Sequence, residues 1–158
     1  MGPGQAIGGV RRAVLLALAT LLMWGCNDTP PKGWREYSAE QLLTFVGPPD
    51  LMRKPVHGID SYVAEWHGER LVVSLVAGAF GGGFAIAVPA KKITVDGRPA
   101  LLYVDERGTS PLSSFGRPQV GFKGGGVSVL VGCESAADIP DALRLVKSIR
   151  FARRERRD

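Results

Sequence analysis

The clearest pattern along this chain is a pair of mostly apolar runs between positions 62 and 76. Residues 62–67 and 70–76 are two runs rich in valine and aromatic side chains, and only Gly68 and Glu69 separate them. Successive side chains of a strand point to opposite faces of a sheet, and two strands joined by so short a connection pair antiparallel. The pattern therefore predicts a β-hairpin.

Two further hairpins are predicted towards the carboxyl terminus. Residues 91–95 and 100–105 flank a turn that begins with Asp96-Gly97, a pair that readily adopts the positive φ angles of a tight turn. Residues 119–123 and 127–131 flank three consecutive glycines, which specify no single type of turn. All of these segments are expected to belong to one antiparallel sheet.

Helical patterns precede and follow the strands. Ser38 and Gln41 have the spacing of a capping box, which predicts a short helix that ends at Gly47. Asp138 is a candidate cap and Pro140 is tolerated in a first turn, so residues 138–149 predict a second helix. Its apolar residues recur at helical spacing. They are Ile139, Ala142, Leu143, Val146 and Ile149.

These elements predict an α+β fold, in which a curved antiparallel sheet is packed by an amino-terminal and a carboxy-terminal helix. Residues 84–88, between a glycine run and Pro89, are one more candidate strand. We expect a single domain over residues 34–151, because the chain after residue 25 suffices for one hydrophobic core and is too short for two. Residues 26–33 form a polar, proline-containing linker, and residues 152–158 form a basic tail.

The amino-terminal segment has the order of an export signal. Arg11 and Arg12 precede the uncharged, mostly apolar residues 13–25, and Cys26 follows directly. As a helix this run would span about 20 Å, whereas the hydrocarbon core of a bilayer is about 30 Å thick. A cleaved signal is therefore favoured over a permanent membrane span.

The end of this segment, Leu22-Met23-Trp24-Gly25-Cys26, resembles the lipobox of bacterial lipoproteins. The resemblance implies that residues 1–25 are a signal peptide and that Cys26 receives a lipid. It implies a lipid anchor in the cell membrane or the outer membrane, outside the cytoplasm and in the periplasm of a cell with two membranes. Asn27 after the cysteine favours the outer membrane. An ordinary signal peptide with a chance cysteine, or an uncleaved anchor, is the alternative.

A second resemblance covers roughly residues 91–151. The turn Asp-Gly-Arg-Pro-Ala at residues 96–100, the run Gly-Gly-Val-Ser-Val-Leu-Val-Gly at residues 125–132 and Val-Lys-Ser-Ile-Arg at residues 146–150 carry it. Their order resembles the extracytoplasmic sensor-like domains of bacterial anti-sigma factors and related lipoproteins. The chain has no zinc module of the kind that holds a sigma factor, so the resemblance implies only the outer domain, whose ligand is unknown.

Charge is concentrated at the carboxyl terminus. Removal of Arg11 and Arg12 with the signal would lower the formal net charge from +5 to +3. The tail residues Arg153, Arg154, Arg156 and Arg157 are candidates for contact with anionic lipid, where each basic residue contributes about 1 kcal/mol. The alternative is a solvated, frayed terminus. An exported chain is not expected to bind nucleic acid.

Few residues have the spacing of a catalytic or metal site. His57 and His67 are ten positions apart, without the clustered spacing of metal ligands, so no metal and no cofactor is expected. If Cys26 is lipidated, Cys133 is the remaining thiol and no intramolecular disulfide forms. Cys133 follows an apolar run, which favours a buried residue at a strand end. The alternative is a reactive thiol, the nucleophile of an enzyme that uses His57 or His67.

Aromatic residues are spread over most of the predicted elements and are expected to meet in or around the sheet. A plain hydrophobic core is one interpretation. The other is an apolar groove with Phe80, Phe84 and Phe115 at its mouth, which would take an acyl chain, a peptide or a partner strand. We therefore expect a membrane-tethered, non-catalytic binding or sensor module of the envelope, whose partner is an envelope protein or an apolar ligand. A lipid or acyl-chain carrier and the Cys133 enzyme are the alternatives.

Overall fold

The chain folds into two antiparallel sheets and one short α-helix in the computed structural model, which describes residues 29–58, 60–78, 89–109 and 116–153. The strands are β1 (Arg35–Ala39), β2 (Leu43–Gly47), β3 (Met52–Lys54), β4 (Tyr62–His67), β5 (Leu71–Ala77), β6 (Lys91–Val95), β7 (Arg98–Asp105), β8 (Gln119–Gly124), β9 (Val127–Cys133) and β10 (Arg150–Phe151). A 3-10 turn, Ala136–Asp138, leads into the helix α1 (Ile139–Lys147). The predicted antiparallel α+β architecture is confirmed at this level.

The larger sheet has the strand order β3-β4-β5-β9-β8-β7-β6 and contains the three predicted hairpins. The hairpin of β6 and β7 turns through Asp96 and Gly97, whose φ angles are 48° and 73°. The hairpin of β8 and β9 turns through Gly125 and Gly126, at 62° and 82°. Both turns need positive φ at two successive residues, which glycine adopts without strain and aspartate tolerates.

The smaller sheet has the order β1-β2-β10, and here the prediction of an amino-terminal helix is wrong. Glu40, in the middle of the predicted helix start, has a φ of 50°, and the backbone N–H of Leu42 donates to the carbonyl of Ala39. The chain therefore reverses into a β-hairpin, and Ser38 Oγ donates to the carbonyl of Glu40 rather than capping a helix. The curvature of the larger sheet stays a prediction, and the candidate strand 84–88 lies outside the described residues.

One face of the larger sheet forms the core together with α1 and the smaller sheet. Phe45 of β2 meets Trp66 of β4 edge to face, with ring centroids 5.1 Å apart, and Phe151 of β10 lies 6.3 Å from Phe122 of β8. The helix packs against β8, β9 and β2. Its buried residues are Ile139, Ala142, Leu145 and Val146. The predicted stripe differs at one position, because Leu143 is only partly buried and Leu145 is fully buried.

Candidate ligand-binding site

Of the four buried polar or charged residues in the described part of the chain, three lie on the opposite face of the larger sheet: Asp105, Gln119 and Ser128. In an antiparallel sheet, directly paired residues share a face. The register therefore places Lys92, Leu101, Lys123 and Ser128 side by side in one row, on β6, β7, β8 and β9. Tyr103, Gly121 and Leu130 form the next row. We call this side the outer face, because α1 and the smaller sheet pack on the other one.

A cleft of about 680 Å³ opens at the end of the sheet where β5 and β8 finish and β7 and β9 begin. Ligand pockets of proteins commonly have volumes of about 300–1,000 Å³. The lining is mostly apolar and includes Lys92, Ile93, Pro99, Leu101, Lys123 and Val127. Leu101 lies beside Lys92 in the register, and Lys92 is exposed, so an apolar surface is bordered by a positive charge. Such a surface suits a molecule with an apolar chain and an anionic head.

Two residues of the outer face have buried polar side-chain atoms that make no hydrogen bond within the described part of the chain. The Tyr103 hydroxyl and both polar side-chain atoms of Gln119 are buried, and none has a hydrogen-bond partner in the part of the chain that the structure describes. Tyr103 is 4% exposed and Gln119 is 0% exposed. Burial, and then the charge of Asp105, raise the pKa of Tyr103, so its hydroxyl stays protonated and remains a donor.

The Tyr103 ring lies over Gly121 on the neighbouring strand. A Cβ atom built on Gly121 would stand 1.7 Å from Cε1 of the ring and 2.3 Å from its hydroxyl oxygen. Only glycine leaves room for the ring there, because any other residue would overlap it. The hydroxyl is thereby fixed above β8, next along the outer face to Lys123.

Cys133 is the residue on which the thiol-enzyme alternative depends, and it lies at the end of β9 with 1% of its surface exposed. Burial, with the charges of Asp138 and Asp141, raises the pKa of its thiol to about 12. Sγ lies 3.9 Å from the carbonyl oxygen of Val131. A thiol with this pKa is protonated at neutral pH, whereas nucleophilic cysteines react as thiolates. The interpretation of Cys133 as a buried residue at a strand end is confirmed.

The two histidines are not brought together. His67 is on β4, where its Nε2 lies 3.1 Å from Glu65 Oε2, and Ser74 Oγ donates to the other oxygen of Glu65 at 3.1 Å. His57 is exposed in the loop after β3. Because the carboxylate stands between the serine and the histidine, His67 is not placed to take a proton from Ser74. The described residues contain no group of three or more side chains arranged to hold a metal ion.

Several predicted site residues lie outside the described residues. These are the lipidation site Cys26, the candidate groove mouth at Phe80, Phe84 and Phe115, and the tail residues Arg154, Arg156 and Arg157. Arg153 is described and is exposed. Within the described ranges, the structure contains no helix of the length and apolar character that a membrane crossing requires.

Sequence reasoning missed the cleft lysines and the buried polar atoms of Tyr103 and Gln119. The local signal was polar residues at strand ends: Lys92 near the start of β6, and Gln119 and Lys123 on either side of the residues 120–122. Their common face becomes visible only from the register. Comparison with known protein families finds none that matches the chain, and no curated protein is significantly similar to it.

Proposed function

We propose that this chain is a membrane-tethered envelope lipoprotein whose non-catalytic domain binds an amphipathic molecule with an apolar chain and an anionic head. The observation that carries the proposal is the mostly apolar cleft in which Leu101 lies beside the exposed Lys92. The lipid at Cys26 would hold the domain at the surface from which such molecules come. A fatty acid anion is the simplest ligand of this class.

The apolar lining and the lysine charge contribute differently to the free energy of ligand binding. An apolar chain gains about 0.8 kcal/mol for each buried methylene, so the apolar lining supplies most of the affinity. A lysine near the surface contributes about 0.2–1 kcal/mol to an ion pair, which mainly selects the sign of the head group. We therefore expect an anionic amphiphile to bind and a cationic one of equal chain length to bind poorly.

Photochemical labelling of the full chain in its own membrane tests the binding proposal. A dodecanoate that carries a diazirine group is expected to label the peptides that contain Leu101 and Lys123. Unlabelled dodecanoate should compete with this labelling, and the dodecyltrimethylammonium cation should not. The proposal fails if the label is spread over the protein without preference for these peptides, or if both competitors act equally.

Lysine variants give the matched control. Lys92→Gln is expected to weaken labelling about two- to fivefold, the range of one exposed ion pair. Lys91→Gln removes the same charge from the neighbouring residue, which is exposed on the opposite face of β6 and does not belong to the described lining. It should leave the labelling unchanged, and equal effects of the two variants would contradict the proposed position of the head group.

The membrane tether has its own test. Cells that express the wild-type chain and are fed an alkyne-labelled palmitate are expected to incorporate the label into the protein. Cys26→Ser should abolish incorporation and leave the signal uncleaved. Incorporation that persists in this variant would refute lipidation at Cys26, without bearing on the cleft.

A further inference from the structure

The described part of the chain begins beside the carboxyl end of α1. A second cavity, of about 460 Å³, has Pro30 in its lining together with Thr94, Asp96, Lys147 and Arg150. Lys147 is the last residue of α1, and Thr94 lies on β6, which is an edge strand of the larger sheet. One small cavity brings these residues together, so the linker that precedes Pro30 joins the domain beside them. We call these five residues the tether end.

The linker between the tether end and the predicted lipid is short. Cys26 is four residues before Pro30. An extended chain spans at most about 3.6 Å per residue, so the cysteine lies within about 14 Å of Pro30. A lipid on Cys26 would therefore hold this end of the domain close to the bilayer surface.

Basic residues predominate among the exposed charges at and beside the tether end. Lys32 is two residues after Pro30, and Arg153 is two residues after Phe151, whose N–H donates to Asp96 Oδ2 at 2.8 Å. The exposed basic residues are Lys32, Lys147, Arg150 and Arg153, and the acidic residues beside them are Glu36 and Asp96. The predicted basic tail continues from Arg153, so the tail and the tether leave the fold at the same end.

At the other end of α1, the basic residues are held in ion pairs. Arg70 pairs with Asp138 at 2.9 Å and with Asp141 at 3.1 Å, and Arg144 pairs with Asp141 at 2.8 Å. Asp138 precedes the helix and Lys147 ends it, which separates the two ends by about 13 Å. An anionic surface is therefore attracted more strongly to the tether end than to the start of the helix.

We infer that the tether end docks on anionic phospholipid head groups, with Lys147, Arg150 and Arg153 towards the bilayer. The inference rests on the lipid at Cys26, and it adds the orientation of the domain to the proposed function. Lys92 of the cleft and Thr94 of the tether end are two residues apart on β6, which corresponds to about 7 Å along a strand. Docking in this orientation holds the cleft next to the bilayer from which its ligand comes.

Acetylation footprinting of the full lipidated chain tests the docking. The protein is inserted into preformed vesicles of phosphatidylglycerol and phosphatidylcholine, or of phosphatidylcholine alone, and is treated briefly with sulfosuccinimidyl acetate. Mass spectrometry then gives the acetylation rate of each lysine. The rate of Lys147 is expected to be about fivefold lower or more in the anionic vesicles, the factor that one basic residue near an anionic surface contributes to binding. Sodium chloride at 1 M should remove this protection, because it shortens the Debye length to about 3 Å.

Lys54 is the matched control. It is exposed on β3, the edge strand of the larger sheet opposite β6, and six strand spacings correspond to about 29 Å. Its acetylation rate should be the same in both kinds of vesicle. The double variant Arg150→Gln/Arg153→Gln should lose the protection of Lys147, whereas Lys54→Gln should keep it. Equal protection of Lys54 and Lys147, or an equal rate of Lys147 in the two kinds of vesicle, would overturn the inference.

The docking and the proposed function fail in different ways. A chain that incorporates no palmitate refutes the tether, and the docking with it. A lipidated chain whose cleft peptides are labelled, but whose Lys147 is not protected in anionic vesicles, refutes only the docking. Protection of Lys147 without labelling of the cleft peptides refutes the ligand of the cleft and supports the docking.

Discussion

Substitution of Gly121 by alanine tests the packing on which the outer face depends. The added Cβ atom would stand 1.7 Å from Tyr103 Cε1 and 1.8 Å from Cζ, whereas ordinary contact begins at 3.4 Å. The ring would have to retreat by about 1.7 Å, and it is 4% exposed, so neighbouring groups resist the movement. Overpacking of this kind typically costs about 1–3 kcal/mol in the free energy of unfolding.

Gly121→Ala should raise the free energy of unfolding, instead of lowering it, once the Tyr103 ring is removed. The three nearest atoms to the added Cβ all belong to Tyr103, and Gly121 does not have a positive φ. In a Tyr103→Ala background, the three atoms nearest to alanine at position 121 are therefore removed. The alanine is expected to stabilise the strand by about 0.5–1 kcal/mol, since glycine loses more backbone freedom than alanine on folding.

Urea-dependent pulse proteolysis of the full chain measures all four members of this double-mutant cycle. The expected result is a lower urea midpoint for Gly121→Ala alone and a higher midpoint for the double variant than for Tyr103→Ala. A neutral or stabilising effect of Gly121→Ala in the wild-type background would refute the position assigned to the Tyr103 ring, and with it the fixed hydroxyl above β8.

Two further predictions concern buried titratable groups. Burial raises the pKa of Asp138, but hydrogen bonds from Ser135 and Arg70 outweigh it and hold the pKa below its ordinary value. The stabilisation from this carboxylate is therefore complete above about pH 4 and is lost as the pH falls further, so Asp138→Asn should cost about 1–3 kcal/mol in urea unfolding at pH 7 and progressively less below pH 4. A pH-independent difference would contradict this. Cys133, with a pKa of about 12, should react with iodoacetamide at pH 8 only after unfolding in urea, as followed by mass spectrometry. Modification of the folded protein at the rate of a free thiol would show that Cys133 is accessible.

The sequence alone was sufficient for the three hairpins of the larger sheet and for α1. Asp96-Gly97 and the glycines after β8 favour tight turns locally, and runs rich in valine and other apolar residues flank them. The helix has Pro140 in its first turn and an apolar stripe within about ten residues, although the Asp138 side chain accepts from Ser135 and Arg70 and makes no cap hydrogen bond. Signals of this kind depend on neighbours in the sequence, which is why they could be recognised without the fold.

The amino-terminal hairpin could not be predicted because its partner is remote. Phe151 pairs with Leu43, and Ser148 Oγ accepts from the N–H of Val46 at 2.8 Å, over a separation of 102 residues. These contacts favour the extended form of β2, whereas the local capping pattern at Ser38 favours a helix. Strand pairing outweighed the local helix preference, because that preference contributes little to the free energy of folding by comparison.

The sequence by itself determined a mainly antiparallel architecture and a terminal helix, and it predicts an export signal that ends at Cys26, because each follows from residues close together in the chain. Tertiary structure decided that Lys92, Leu101 and Lys123 share one row and that Tyr103 and Gln119 bury polar atoms beside it. Both features depend on which strands become neighbours in the sheet. The strand order in turn depends on how the whole core packs, and no local pattern specifies it.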